Sequence, residues 1–184
     1  DAEIENTIRL LTAPVLKAAK LDPMSVKIHL IRDKSLNAFV AGGQRLFIHT
    51  GLITQSTEAS QIIGVIAHEL GHIAGGHLAR LNKALEKGTM IKALSLIMGA
   101  TAIIAGQGEI GQIVTAAGGA IARNDFLQYS QTQESAADQA ALKFLDDSKQ
   151  SARGLLNFMK LLGEQELLIW EYQDLYARTH PLTR

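Results

Sequence analysis

The first stretch of the chain carries apolar residues at Ile4, Ile8, Leu11, Val15 and Ala19, the three-to-four spacing of an amphipathic helix over residues 3–20. Pro14 falls inside it. Proline lacks the amide that a helix interior uses, so a bend or a restart is expected there. The period then changes: Val26, Ile28 and Leu30 alternate with Lys27 and His29, which predicts a half-buried strand over residues 26–32. Two more short strands are expected at residues 37–41 and 45–50, joined by a tight turn at Gly42 and Gly43. After Gly51 helix takes over. Ser56 or Thr57 can cap it, Glu58 suits its first turn, and no proline interrupts the chain before Pro181. The pattern therefore reads as α+β, mostly helical, with one small sheet.

Two uncharged runs, residues 93–108 and 110–122, flank Glu109. Each is shorter than the roughly 20 residues that a helix needs to cross a bilayer core. Their glycines, at positions 99, 106, 108, 111, 118 and 119, weaken helix propensity. A buried helical hairpin and a membrane-touching hairpin both fit this stretch, and core is the commoner use of runs this short.

With 184 residues and 47% hydrophobic content, the chain can bury one sizeable core, and a single domain over residues 1–184 is expected. Eighteen basic residues balance eighteen acidic ones, and no dense Lys/Arg stripe is present, so no nucleic-acid partner is expected. The absence of cysteine excludes disulfides and thiolate ligands; a bound metal must be held by histidines and carboxylates. The chain starts at Asp1 without a methionine or a signal-like leader, which fits a processed chain or an excised fragment.

The segment Ala67-His68-Glu69-Leu70-Gly71-His72 carries the chemistry. Two histidines four apart on a helix project from one face and can reach one zinc ion. Glu69 sits one residue on, a poor position for a ligand but a good one for a general base acting on metal-activated water. Ile62, Ile63, Val65 and Ile66 before the motif, with Ile73 and Leu78 after it, place it on a buried helix rather than a solvated one.

A catalytic zinc site needs a third protein ligand. On a continuing helix His77 would be rotated away from the metal-facing side, and the longer metzincin pattern would need histidine where Leu78 stands. His77 is therefore read as structural. Glu134 and Asp138 lie four apart, on one face of a helix with small residues between them. Two carboxylates turned toward a buried site need a cation for compensation, so Glu134 is read as the third ligand. Asp138 is read as the acceptor that orients a liganding histidine. The bland reading of the pair is an exposed acidic edge matched with Lys143 or Arg123.

These residues resemble the CAAX-prenyl-protease/HtpX group of gluzincins, metallopeptidase family forty-eight. Asn37-Ala38-Phe39, Gly42-Gly43 and the strand at 45–50 resemble the family's edge strand beside the zinc helix. His68–His72 matches the zinc helix itself, Glu134–Asp138 the third-ligand helix, and Thr179-His180-Pro181 a fourth motif near the end of the protease domain. The resemblance spans nearly the whole chain. It implies that His68, His72 and Glu134 bind a single zinc, that Glu69 is the base, and that Asp138 handles protons or supports a ligand. It further implies that His180 stabilises the tetrahedral intermediate or, as in BepA-like periplasmic members, holds a fourth zinc position in a resting state.

The family places an arginine a few residues beyond the histidine matched by His180, farther than Arg184. A fragment of a longer chain, continuing into a C-terminal helical-repeat half, is expected. The implied activity is endopeptidase cleavage of unfolded or misfolded envelope proteins in the bacterial periplasm, with peripheral membrane contact in view of residues 93–122. Integral membrane relatives carry spanning helices where this chain has its shorter hairpin. Two other readings are open: a zinc-containing, chaperone-like binding module closed by His180, and a membrane-surface interaction protein acting through residues 93–122. A purely structural zinc site has no use for a base at Glu69, which favours the enzyme.

Overall fold

The computed structural model describes residues 2–42, 44–80 and 131–166, with side chains as far as residue 161. The chain divides into two compact units, Asp1–Leu78 with Gln133–Arg184, and Ala79–Thr132. The first holds nearly all of the described residues. The run at 93–122 and His180 lie outside them.

Helix α1 (Ala2–Ala18) runs unbroken through Pro14. Its buried side is Ile8, Thr12, Val15 and Leu16, whereas Ile4 and Leu11 from the expected stripe stay exposed. Thr12 is tolerated in the core because its hydroxyl donates to the Ile8 carbonyl at 2.8 Å. Strands β1 (Lys27–Ile31), β2 (Ala38–Ala41) and β3 (Arg45–His49) form one sheet in the order β1-β3-β2. β1 and β3 are parallel, with Ile28 opposite Leu46, and β2 runs antiparallel to β3, with Ala38 opposite Ile48. The alternation read from sequence holds: Ile28, Ala38, Leu46 and Ile48 enter the core. The other face stacks His29, Phe47 and Phe39 across the three strands, with ring centroids 5.0 Å apart in each pair.

One expectation about the sheet is corrected. The strand at 45–50, expected from the resemblance to belong to an edge strand, is the central strand, because β1 and β2 occupy both of its sides. The edge strand that packs against the histidine helix is β2.

The helical region also begins differently. Helix α2 (Thr50–Gln55) ends at Ser56, whose hydroxyl donates to the Leu52 carbonyl at 2.7 Å, so Ser56 closes one helix instead of opening the next. Helix α3 (Ala59–Gly75) has Glu58 as its N-cap. The side-chain oxygen of Gln61 reaches back to accept from the Thr57 amide at 2.8 Å and the Glu58 amide at 3.4 Å. Neither Ser56 nor Thr57 is the cap. From Ile63 to His72 every residue of α3 is buried, so this helix is the axis of the core. The helix α4 (131–147) and α5 (Arg153–Glu166) follow, and Ala137, Ala141, Leu145, Leu155 and Phe158 complete the core around α3.

Candidate metal centre

The histidine helix and α4 meet at a point where neither has a large side chain. A Cβ on Gly71 would stand 2.7 Å from the Ala137 carbonyl oxygen and 3.0 Å from its Cα, so the two backbones touch there. Gly71 lies between His68 and His72, and Ala137 between Glu134 and Asp138. Backbone contact at the two small residues therefore brings the four side chains of His68, His72, Glu134 and Asp138 near one another.

They converge closely. His68 Nε2 and His72 Nε2 are 3.0 Å apart. Glu134 faces both, with Oε2 at 3.2 Å from His68 and Oε1 at 3.5 Å from His72. All three residues are buried, and one donor atom from each lies within 4.8 Å of the others, a group that could hold a metal ion. Behind it, Asp138 Oδ1 is 2.8 Å from His68 Nδ1. The acidic pair is therefore no solvated edge: Glu134 is buried, and Lys143 pairs instead with Asp147 at 2.9 Å. Glu69 is fully buried on the same helix.

Carboxylates dominate the electrostatics of the cluster. Burial of the His68 ring disfavours its charged form. The hydrogen bonds to Asp138 and Glu134, with the charges of Glu69 and Glu134, outweigh that and raise its pKa to about 10. In the absence of a cation the site thus draws a proton onto a nitrogen that points at two other donors. Two imidazoles and a carboxylate are the donor set that a metal of zinc's borderline character takes, and the carboxylates around them suit a dication better than a single proton.

The sequence brought His68, Glu69, His72, Glu134 and Asp138 forward, and the structure gathers them into one place. His180 lies outside the described residues. His77 was set aside on the assumption of a continuing helix, but α3 ends at Gly75 and Gly76 turns the chain in the left-handed conformation (φ 63°). His77 is consequently buried against the centre, its Nδ1 2.9 Å from His72 Nδ1. The glycine pair before it was the signal available in the sequence.

The chain is 24% identical over 156 residues to the beta-barrel assembly-enhancing protease of Yersinia pestis, a match covering 84% of this chain and 31% of that protein. Against the protein of the same name in Escherichia coli (strain K12) the identity is 27%, over 83% of this chain and 31% of the relative. Metalloprotease YcaL of Escherichia coli (strain K12) is 30% identical over 77% of this chain and 52% of its own length. The chain thus spans about a third of the length of the assembly-enhancing proteases it matches. The model of peptidase family M48 matches residues 2–184, and the chain belongs to that family.

Proposed function

We propose that this chain is the catalytic domain of a zinc-dependent endopeptidase of the gluzincin type, forming one domain of a longer protein. His68 Nε2, His72 Nε2 and the Glu134 carboxylate would hold the metal. The observation that carries this reading is the convergence of those three buried donors, with Asp138 behind one ring and Glu69 on the same helix. Zinc, when bound, supplies a Lewis acid that makes a water acidic near neutral pH and polarises the scissile carbonyl.

The protein's own residues do the rest. Glu69 takes the proton from the attacking water and returns it to the leaving amine, a role for which a carboxylate next to the ligands is placed. Asp138 keeps the proton of His68 on Nδ1, so that Nε2 presents its lone pair. His180, by the family match, would approach from the C-terminal side, steadying the oxyanion or occupying a fourth position in a latent state.

The sheet supports a reading of the substrate class. Among the described residues β2 is paired on one side, toward β3, and it packs against α3, which bears the site. Its other side can add an extended peptide by backbone hydrogen bonds, a mode that favours unfolded chains and reads little sequence. The substrates proposed are unfolded or misfolded envelope proteins in a bacterial periplasm, a reading supported by the similarity to proteases named for enhancing beta-barrel assembly. No described helix is long and apolar enough to cross a membrane. The ligand assignment is tested by equilibrium dialysis with zinc: the wild type should take up about one equivalent, and Glu134→Ala should lose most of it. Equal zinc uptake by both would remove Glu134 from the ligand set.

A further inference from the structure

The two histidines of the centre are supported through the same atom by different partners. His68 presents Nε2 to the donor cluster and has Nδ1 2.8 Å from Asp138; His72 presents Nε2 to the same cluster and has Nδ1 2.9 Å from His77 Nδ1. The His72 and His77 rings are nearly perpendicular, at 84° with centroids 4.9 Å apart, and both are buried. An edge-on nitrogen contact of that length needs one ring to donate and the other to accept.

We propose that His77 is the positioning residue for His72, the counterpart of Asp138 for His68. The inference rests on His72 being a metal ligand. For His72 Nε2 to offer a lone pair, its proton must sit on Nδ1, where it donates to His77 Nδ1. His77 then keeps its own proton on Nε2. It holds the His72 tautomer and fixes the ring plane without adding a charge to a site already surrounded by carboxylates.

The backbone is built to deliver this contact. The left-handed turn at Gly76, whose amide bonds the His72 and Ile73 carbonyls, ends α3 and folds residue 77 back toward residue 72. Gly75 leaves room for the ring: a Cβ there would stand 2.4 Å from His77 Nε2 and 2.7 Å from Cδ2. A side chain at 75 and the His77 ring in this position exclude each other. Two glycines thus serve one imidazole, by different means.

The test compares the full-length wild type with His77→Leu, His77→Asn and Gly75→Ala. Zinc affinity is read by competition with a chromogenic chelator, the ligand field by the visible spectrum of the cobalt-substituted protein, and folding by circular dichroism. His77→Leu should weaken zinc binding about 10–100-fold at unchanged helix content and alter the cobalt spectrum. His77→Asn, whose Oδ1 can accept from His72 Nδ1, should recover most of the loss. Gly75→Ala should weaken binding in the wild type but add nothing to His77→Leu, which keeps the comparison decisive if one variant folds poorly. Wild-type affinity and spectrum in His77→Leu would overturn the proposal, as would equal losses in the Leu and Asn variants. A wild type that takes up no zinc would sink the ligand reading itself, a result distinct from a zinc-binding wild type whose variants are unchanged.

Discussion

Asp138 Oδ1 and His68 Nδ1 stand 2.8 Å apart across 70 residues of sequence, and this one hydrogen bond ties the helix bearing the histidines to the helix bearing the acids. It orients a ring that is almost completely buried, while Asp138 itself keeps 29% of its side chain in solvent. A carboxylate in that position raises the basicity of the ligand it supports.

Asp138→Ala is therefore expected to weaken metal binding about 10–100-fold with the fold preserved, because the residue is partly exposed and lies outside the apolar core. Asp138→Asn should fall between the variant and the wild type. Chelator competition measures both.

Gly71→Ala acts on the same assembly through sterics. The new methyl would meet the Ala137 backbone at 2.7–3.2 Å, and neither helix can retreat without moving Glu134 and Asp138 away from the histidines. A destabilisation of about 1–3 kcal/mol is expected, as for other overpacked buried sites, together with weaker metal binding. Denaturant titration of the metal-free protein separates the two effects. An unchanged midpoint with normal metal uptake would show that the helices do not pass this closely.

The charge of the metal-free centre predicts a pH dependence. The folded-state pKa of His68 is raised from 6.5 to about 10, so its protonated form is favoured in the folded protein relative to the unfolded one. That contribution is fully present below pH 6.5 and is lost as pH rises through about 10. Thermal unfolding of metal-stripped protein should thus show a midpoint falling across this window. The fall should be shallower in His68→Gln. Parallel curves for the two proteins would remove His68 as the source.

Much of this was legible in the residues, and what was not has identifiable causes. The alternation of Val26, Ile28 and Leu30 placed the first strand within a residue at each end, because one face of a sheet must be apolar. Strand order was not legible: residues 38–41 and 45–49 are both short runs, and only the parallel return of β3 beside β1 makes β2 an edge. Glu58 rather than Ser56 or Thr57 caps α3 because the Ser56 hydroxyl is used by the end of α2. The centre itself was readable from two four-residue spacings, which a helix converts directly into a shared face. His77 was not, since helical extrapolation fails where Gly76 takes the left-handed conformation and ends α3.

The central claim is that Glu69 performs proton transfer at a zinc held by its neighbours. The direct measurement is zinc content together with casein cleavage for wild-type protein and Glu69→Gln. Both should retain about one zinc, and the variant should lose about 100- to 10,000-fold in cleavage rate, the usual worth of a positioned acid–base group. Cleavage by Glu69→Gln at the wild-type rate, or a wild type that binds no zinc, would contradict it.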